Sequence, residues 1–142
     1  MLETLLIATV IAISDGDTLT VLTPENQQVQ VRLAEIDAPE RMQPFGSRSR
    51  QSLSNLCYRK PVKLTNARTD RDGHKIASVY CDGTNVNTEQ IRRGYAWVHE
   101  RRVNPNLFAL HMLQAEARVE RRGLWFDHNP VPPWEWRRQR QK

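Results

Sequence analysis

Asp15-Gly16-Asp17-Thr18-Leu19-Thr20-Val21-Leu22, followed across Pro24-Glu25-Asn26 by Gln28-Val29-Gln30-Val31-Arg32-Leu33, alternates polar and apolar side chains on both sides of a turn. Successive side chains of a strand point to opposite faces, so the pattern predicts a hairpin with one face in a core and the other wet. The stretch before it, Leu5-Leu6-Ile7-Ala8-Thr9-Val10-Ile11-Ala12-Ile13, is rich in β-branched residues and holds neither Gly nor Pro. That composition suits a buried strand better than a helix. Three consecutive strands over residues 5–33 set the architecture.

Downstream, Arg41 to Ser47 contains Pro44 and Gly46 and reads as a loop, after which Ser49 to Tyr58 carries Leu53, Leu56 and Cys57 at helical spacing. Val62-Lys63-Leu64-Thr65 and Ile76-Ala77-Ser78-Val79-Tyr80 read as two more strands joined by Arg71-Asp72-Gly73-His74. Asn87 is suited to cap a helix over Thr88 to Arg93 that ends at Gly94, and Asn104-Pro105 to start a longer one that stops at Gly123. The ending Asn129-Pro130-Val131-Pro132-Pro133-Trp134-Glu135-Trp136 reads as too rich in proline for a helix, and predicts an extended surface segment anchored by its indoles. The expected class is α+β, mainly β: a five-stranded oligonucleotide/oligosaccharide-binding (OB-fold) barrel with three helices against it.

The 142 residues are enough for one core and too few for two, so residues 1–136 are expected to form a single domain and 137–142 a basic tail. Net charge is +5, but Arg137, Arg138, Arg140 and Lys142 supply four of those charges, leaving +1 for residues 1–136. The basic balance by itself therefore reads as a solvated terminus, and any case for a polyanionic partner must come from local motifs. Met1 to Ser14 is apolar but carries Glu3 where a signal peptide has basic residues, so it reads as structure; no run of ~18 apolar residues is present to span a membrane. Cys57 and Cys81 are too few for a zinc site, and either bridge or pack as reduced thiols.

Asp15 and Asp17 lie where the first strand turns into the second, and Asp37 and Glu40 lie just past the third, so neighbouring strands bring four carboxylates to one end of the barrel. Crowded like charges favour a cation, and oxygen donors without His or Cys suit Ca²⁺ or Mg²⁺. Each segment alone reads equally as turn chemistry. Arg32, five residues before Asp37, adds a fixed positive charge to the same edge. A cation, a metal-binding acid and a second acid are the parts that phosphodiester hydrolysis requires. The structural alternative for Arg32 is an ion pair with Glu35 or Asp37.

Ile13-Ser14-Asp15-Gly16-Asp17-Thr18 and Val31-Arg32-Leu33-Ala34-Glu35-Ile36-Asp37-Ala38-Pro39-Glu40 resemble the two signature segments of the staphylococcal nuclease (thermonuclease) family, in its order. Thr69-Asp70-Arg71-Asp72-Gly73, Arg93-Gly94-Tyr95-Ala96-Trp97-Val98 and Gly123-Leu124-Trp125 extend the resemblance from about Val10 to Trp125, and the ending through Arg138 is similar to that of many bacterial members. The resemblance implies that Asp17, Asp37 and the main-chain carbonyl of Ala38 hold Ca²⁺, that Glu40 orients or deprotonates water, and that Arg32 contacts phosphate. It further implies a nuclease of low sequence specificity acting on DNA, RNA or both.

The chain departs from the family's pattern at His74, which follows Gly73 where the resemblance calls for a second catalytic arginine. Imidazole supplies one donor and titrates near neutrality, whereas guanidinium is a permanently charged fork, so an attenuated enzyme or a non-catalytic nucleic-acid- or protein-binding module are both open. His99 and His111 share no metal-ligand spacing with it. Arg41, Arg48 and Arg50 are placed to follow a phosphate backbone, while the four tryptophans, all within residues 97–136, are expected to fasten helices and tail to the barrel. A monomer is expected, secreted or periplasmic if a leader was removed and cytoplasmic otherwise.

Overall fold

A computed structural model describes residues 6–99 and 104–141. Leu5, in the first expected strand, and Met1 to Thr4, in the segment weighed as a leader, lie outside the described residues.

In chain order the elements are β1 (Leu6–Asp15), β2 (Thr18–Leu22), β3 (Gln28–Leu33), β4 (Ile36–Asp37), α1 (Gly46–Cys57), β5 (Pro61–Thr69), β6 (Lys75–Cys81), β7 (Thr84–Asn85), α2 (Val86–Arg92), β8 (Trp97–Val98), α3 (Asn106–Val119) and α4 (Pro133–Arg140), with a 3₁₀ turn at Gly123–Phe126 before α4. The sheet runs β3-β2-β1-β5-β6 through antiparallel neighbours. A parallel pairing of β3 with β6, Arg32 opposite Ile76, closes it into a five-stranded barrel. The mainly β class expected from the alternation is thus the fold observed.

Alternation supplies the interior. Leu19 and Val21 of β2, Val31 and Leu33 of β3, Val62 and Leu64 of β5, and Ala77 and Val79 of β6 are all buried, as are Val10 and Ile13 of β1. Full burial of one Val or Leu side chain contributes about 1.5–3 kcal/mol, and these positions form part of one continuous hydrophobic core. Cys57 at the end of α1 and Cys81 at the end of β6 are disulfide-bonded, Cα to Cα 5.2 Å, which resolves the choice left open by the sequence.

Three details differ from expectation. The α2 cap is Asn85, whose side chain accepts the Thr88 N–H at 3.1 Å. Asn87 instead points inward: its Oδ1 accepts the Val79 N–H, and its Nδ2 donates to the carbonyls of Ala34 and Ala77, joining the strand pair that closes the barrel. The long helix ends at Val119 rather than running to Gly123. The proline-rich end is extended only up to Pro132, and Pro133 starts a helix. Proline is well suited to the first helical turn, where the missing N–H has no partner to lose, so a run of prolines can precede a helix as well as prevent one.

The β1–β2 turn is pressed against two helices. A Cβ on Gly16 would lie 1.7 Å from Ser49 Oγ and 2.9 Å from Ala38 Cβ. Buried Gln90 of α2 donates to the Gly16 carbonyl at 2.8 Å and to the Ser49 carbonyl at 3.1 Å, and accepts from Ser52 Oγ. Gly16→Ala is expected to destabilise the domain by about 1–3 kcal/mol through overpacking, and to lift the Asp15–Asp17 turn off residue 38. Urea unfolding of the variant checks this; a midpoint equal to the parent's contradicts it.

Candidate active site

Asp17 is carried at the start of β2, where its carbonyl accepts the Leu33 N–H at 2.8 Å. Thr18 is paired with Arg32 across β2 and β3. Asp37 is carried by β4, a two-residue strand paired with β8, in which Asp37 lies opposite Trp97. Glu40 follows in a tight loop, its N–H bonded to Gln43 Oε1 and its carbonyl accepting the Gln43 N–H. Four chain segments thereby meet around one cavity of about 220 Å³ lined by Asp15, Asp17, Thr18, Arg32, Asp37, Ala38, Glu40 and Arg137.

Five of the six residues that the sequence singled out line this cavity: Asp17, Asp37, Ala38, Glu40 and Arg32. His74 does not. It sits in the β5–β6 turn with its side chain 59% exposed and its Nδ1 3.3 Å from Asp70 Oδ2, and reaches only an adjoining cavity shared with Asp15, Thr18, Arg32 and Lys75. Among the described residues, Asp70, Asp72 and His74 bring metal-ligating atoms within 4.8 Å of one another. Asp70 Oδ1, however, already accepts the N–H groups of Asp72 and His74, which fold the turn and hold the Asp70 carboxyl below its usual range, the His74 N–H first.

The two central acids are neutralised differently. Asp37 has no exposed surface and is gripped by Arg137: Nη2 to Oδ2 at 2.6 Å and Nη1 to Oδ1 at 3.3 Å, while the same Nη1 reaches Glu40 Oε1 at 2.5 Å. Hydrogen bonding to Asp37, then to Glu40, raises the Arg137 pKa. Arg32 Nη2 lies 3.6 Å from Asp37 Oδ1, so the expected alternative partnership of Arg32 with Asp37 is present. Among the described residues, no cation pairs with Asp17. Its Oδ2 accepts the Ala38 N–H at 2.8 Å and its Oδ1 accepts from Thr18 Oγ1. Burial, a hydrogen bond to Asp15 and the charges of Asp15 and Asp37 push its pKa well up, against the lowering effect of the Ala38 N–H. The carboxylates in the cavity offer only oxygen, the donor set of a hard divalent cation, and a buried acid held toward its protonated form is where such a charge is needed.

Sequence reading missed Arg137, which it assigned to a solvated tail. The available signal was its spacing, three residues after Trp134 on a helix beginning at Pro133. Of the arginines expected to follow phosphate, Arg41 and Arg50 donate to the carbonyls of Ser14 and Ile13, bracing the acidic turn, and Arg48 lies over Phe45. The tryptophans fasten as expected: Trp97 meets Trp125 at 4.5 Å and Trp134 at 5.8 Å between ring centroids, and Trp134 stacks on His99 at 4.4 Å.

Residues 30–127 match the family model described as staphylococcal nuclease homologue. The chain is 44% identical over 130 residues to an "Uncharacterized endonuclease" of Haemophilus influenzae, covering 92% of this chain and 72% of the relative. It is 41% identical over 138 residues to a "Micrococcal nuclease" of Shigella flexneri, covering 91% and 79%.

Because burial raises the folded-state pKa of Asp17 above its unfolded value, metal-free stability falls as pH rises through the window between the two. Asp17→Asn keeps an acceptor for the Ala38 N–H and removes the charge. The variant is expected to melt above the parent at neutral pH in EDTA and to converge with it in acid, below the unfolded carboxylate range. Calorimetry across pH checks this; a variant less stable at pH 7 would count against the assignment.

Proposed function

The chain belongs to the staphylococcal nuclease homologue family, and from that premise we propose that it is a calcium-dependent nuclease of low sequence specificity that hydrolyses phosphodiester bonds of DNA, RNA or both. The observation that carries this reading is the single cavity in which Asp17, Asp37, Ala38, Glu40 and Arg32 meet. Asp17 and Asp37, with the Ala38 carbonyl, are the groups that would hold the ion, and when bound it supplies positive charge to a phosphate oxygen. Arg32, 40% exposed at its side chain, has an edge available to a second phosphate oxygen while the other lies toward Asp37. Glu40, partly exposed, orients water and accepts its proton as the water oxygen bonds to phosphorus and the ester P–O bond breaks. The departing oxygen takes its proton from solvent.

No helix among the described residues is long and apolar enough to cross a membrane. The Cys57–Cys81 bond supports an oxidising working compartment, secreted or periplasmic, and we take the protein to act as a monomer. A second reading, a non-catalytic nucleic-acid- or protein-binding module, is favoured by His74, which is exposed, paired with Asp70 and outside the cavity of Asp17, Asp37 and Glu40.

Single-stranded DNA is expected to be degraded with Ca²⁺ and spared in EDTA. Arg32→Ala and Glu40→Gln are each expected to lower kcat by about 10²–10³-fold while the fold is kept, the loss typical of one transition-state donor or base. Nucleic-acid binding without cleavage at any protein concentration would select the second reading.

A further inference from the structure

Arg137 comes from the far end of the chain to stand beside Arg32. It is separated from Asp37 by 100 residues and from Glu40 by 97, yet it forks onto the first and bonds the second. Its placement is built by several contacts. Pro133 sets the first turn of α4, Gln43 Nε2 donates to the Val131 carbonyl at 2.6 Å, and Trp134 is held between His99 and Trp97. The neighbouring arginines of α4 are used elsewhere: Arg138 pairs with Glu135 and Arg140 lies over the Trp136 ring. The helix therefore delivers one particular guanidinium to the acids.

Neutralising Asp37 engages only part of a guanidinium fork. The Arg137 side chain keeps 38% of its surface exposed. Guanidinium has five donors, and the contacts to Asp37 and Glu40 use three of them, leaving the Nε–H and one Nη2–H. Arg32 and Arg137 thus flank Asp37 on the wall of one cavity, each with acid contacts and accessible surface. A phosphodiester is an anion approaching four carboxylates, and two guanidinium groups at the edge of that acid cluster offset the repulsion and match phosphate oxygens in pairs.

We propose that Arg137 is a second phosphate-contacting arginine of the active site, so that α4 is part of the catalytic machinery. This assignment rests on the nuclease reading of the same cavity. It makes the C-terminal helix, and not the His74 turn, the source of the second guanidinium.

The test uses the full chain. In a Glu40→Gln background, which suppresses turnover, affinity for a short single-stranded oligonucleotide with Ca²⁺ present is compared with and without Arg137→Ala. The expected result is about a tenfold loss of affinity, from removal of one charge-assisted contact. In the otherwise native chain, Arg137→Ala is expected to lower kcat by about 10²–10³-fold. Calcium affinity measured by calorimetry should be undiminished, because the guanidinium competing for Asp37 has gone. Arg137→Lys, which keeps a charge near Asp37 and so guards against unfolding, is expected to lose the fork and recover only part of the rate. Unchanged oligonucleotide affinity, or cleavage unchanged or faster in both variants, would overturn the proposal and leave Arg137 as a structural pin or a blocking residue. Failure of the nuclease reading is distinguishable: it appears as no cleavage by the parent chain, or as no effect of Arg32→Ala and Glu40→Gln, while the binding comparison still decides the role of Arg137.

Discussion

A carboxylate with no exposed surface, Asp37, dictates how the end of this barrel is assembled. An isolated buried charge is not tolerated in a folded protein, so Asp37 must be paired or protonated. It is paired from two directions, by Arg32 of the same barrel edge and by Arg137 of a helix at the other end of the chain. Breaking such a pair by removing one partner costs about 3–5 kcal/mol where no other cation remains. Arg32 remains as a cation beside Asp37, so the docking of α4 adds a second ion pair to an aromatic packing event.

The barrel meets this requirement through a short sequence of contacts. Parallel pairing of β3 and β6 fixes Arg32, and Asn87 ties that closure to α2 from inside. Pairing of β4 with β8 places Asp37 opposite Trp97, and Trp97 in turn touches Trp125 and Trp134. The two-residue β4–β8 ladder thus links the buried acid to the aromatic cluster that anchors α4. On the opposite wall, the close approach of Gly16 to Ser49 and Ala38 brings Asp17 up to the same cavity. Side chains from distant segments reach one small volume because each is seated on an element that is independently packed.

Much of this was legible in sequence because it obeys local rules. Period-two alternation predicted the barrel strands, and acids at the ends of consecutive strands predicted their convergence. What was not legible depended on distance along the chain. Arg137, Arg138 and Arg140 look alike in a basic run, and only the helical phase set by Pro133 separates Arg137, facing Asp37, from Arg138 and Arg140 on other partners. The prolines themselves pointed the wrong way, since proline's aversion to helix interiors does not extend to the first turn. Asn87 was similarly taken for a cap, when as the second residue of the helix it serves the strands behind it. The β4–β8 pair is too short for periodicity to register at all.

Asp17 and Asp37 show that two acids on one cavity need not be equivalent. Asp37 has protein cations and is satisfied without help. Asp17 has hydrogen-bond donors but, among the described residues, no positive partner, and burial with Asp15 close by pushes it toward the protonated form. The two acids would therefore meet a divalent cation differently, Asp17 as a carboxyl pushed toward its protonated form and Asp37 as a carboxylate already held by guanidinium. Carboxylate burial is thus met in two ways at one cavity, by guanidinium groups at Asp37 and by hydrogen bonds from Ala38 and Thr18 at Asp17.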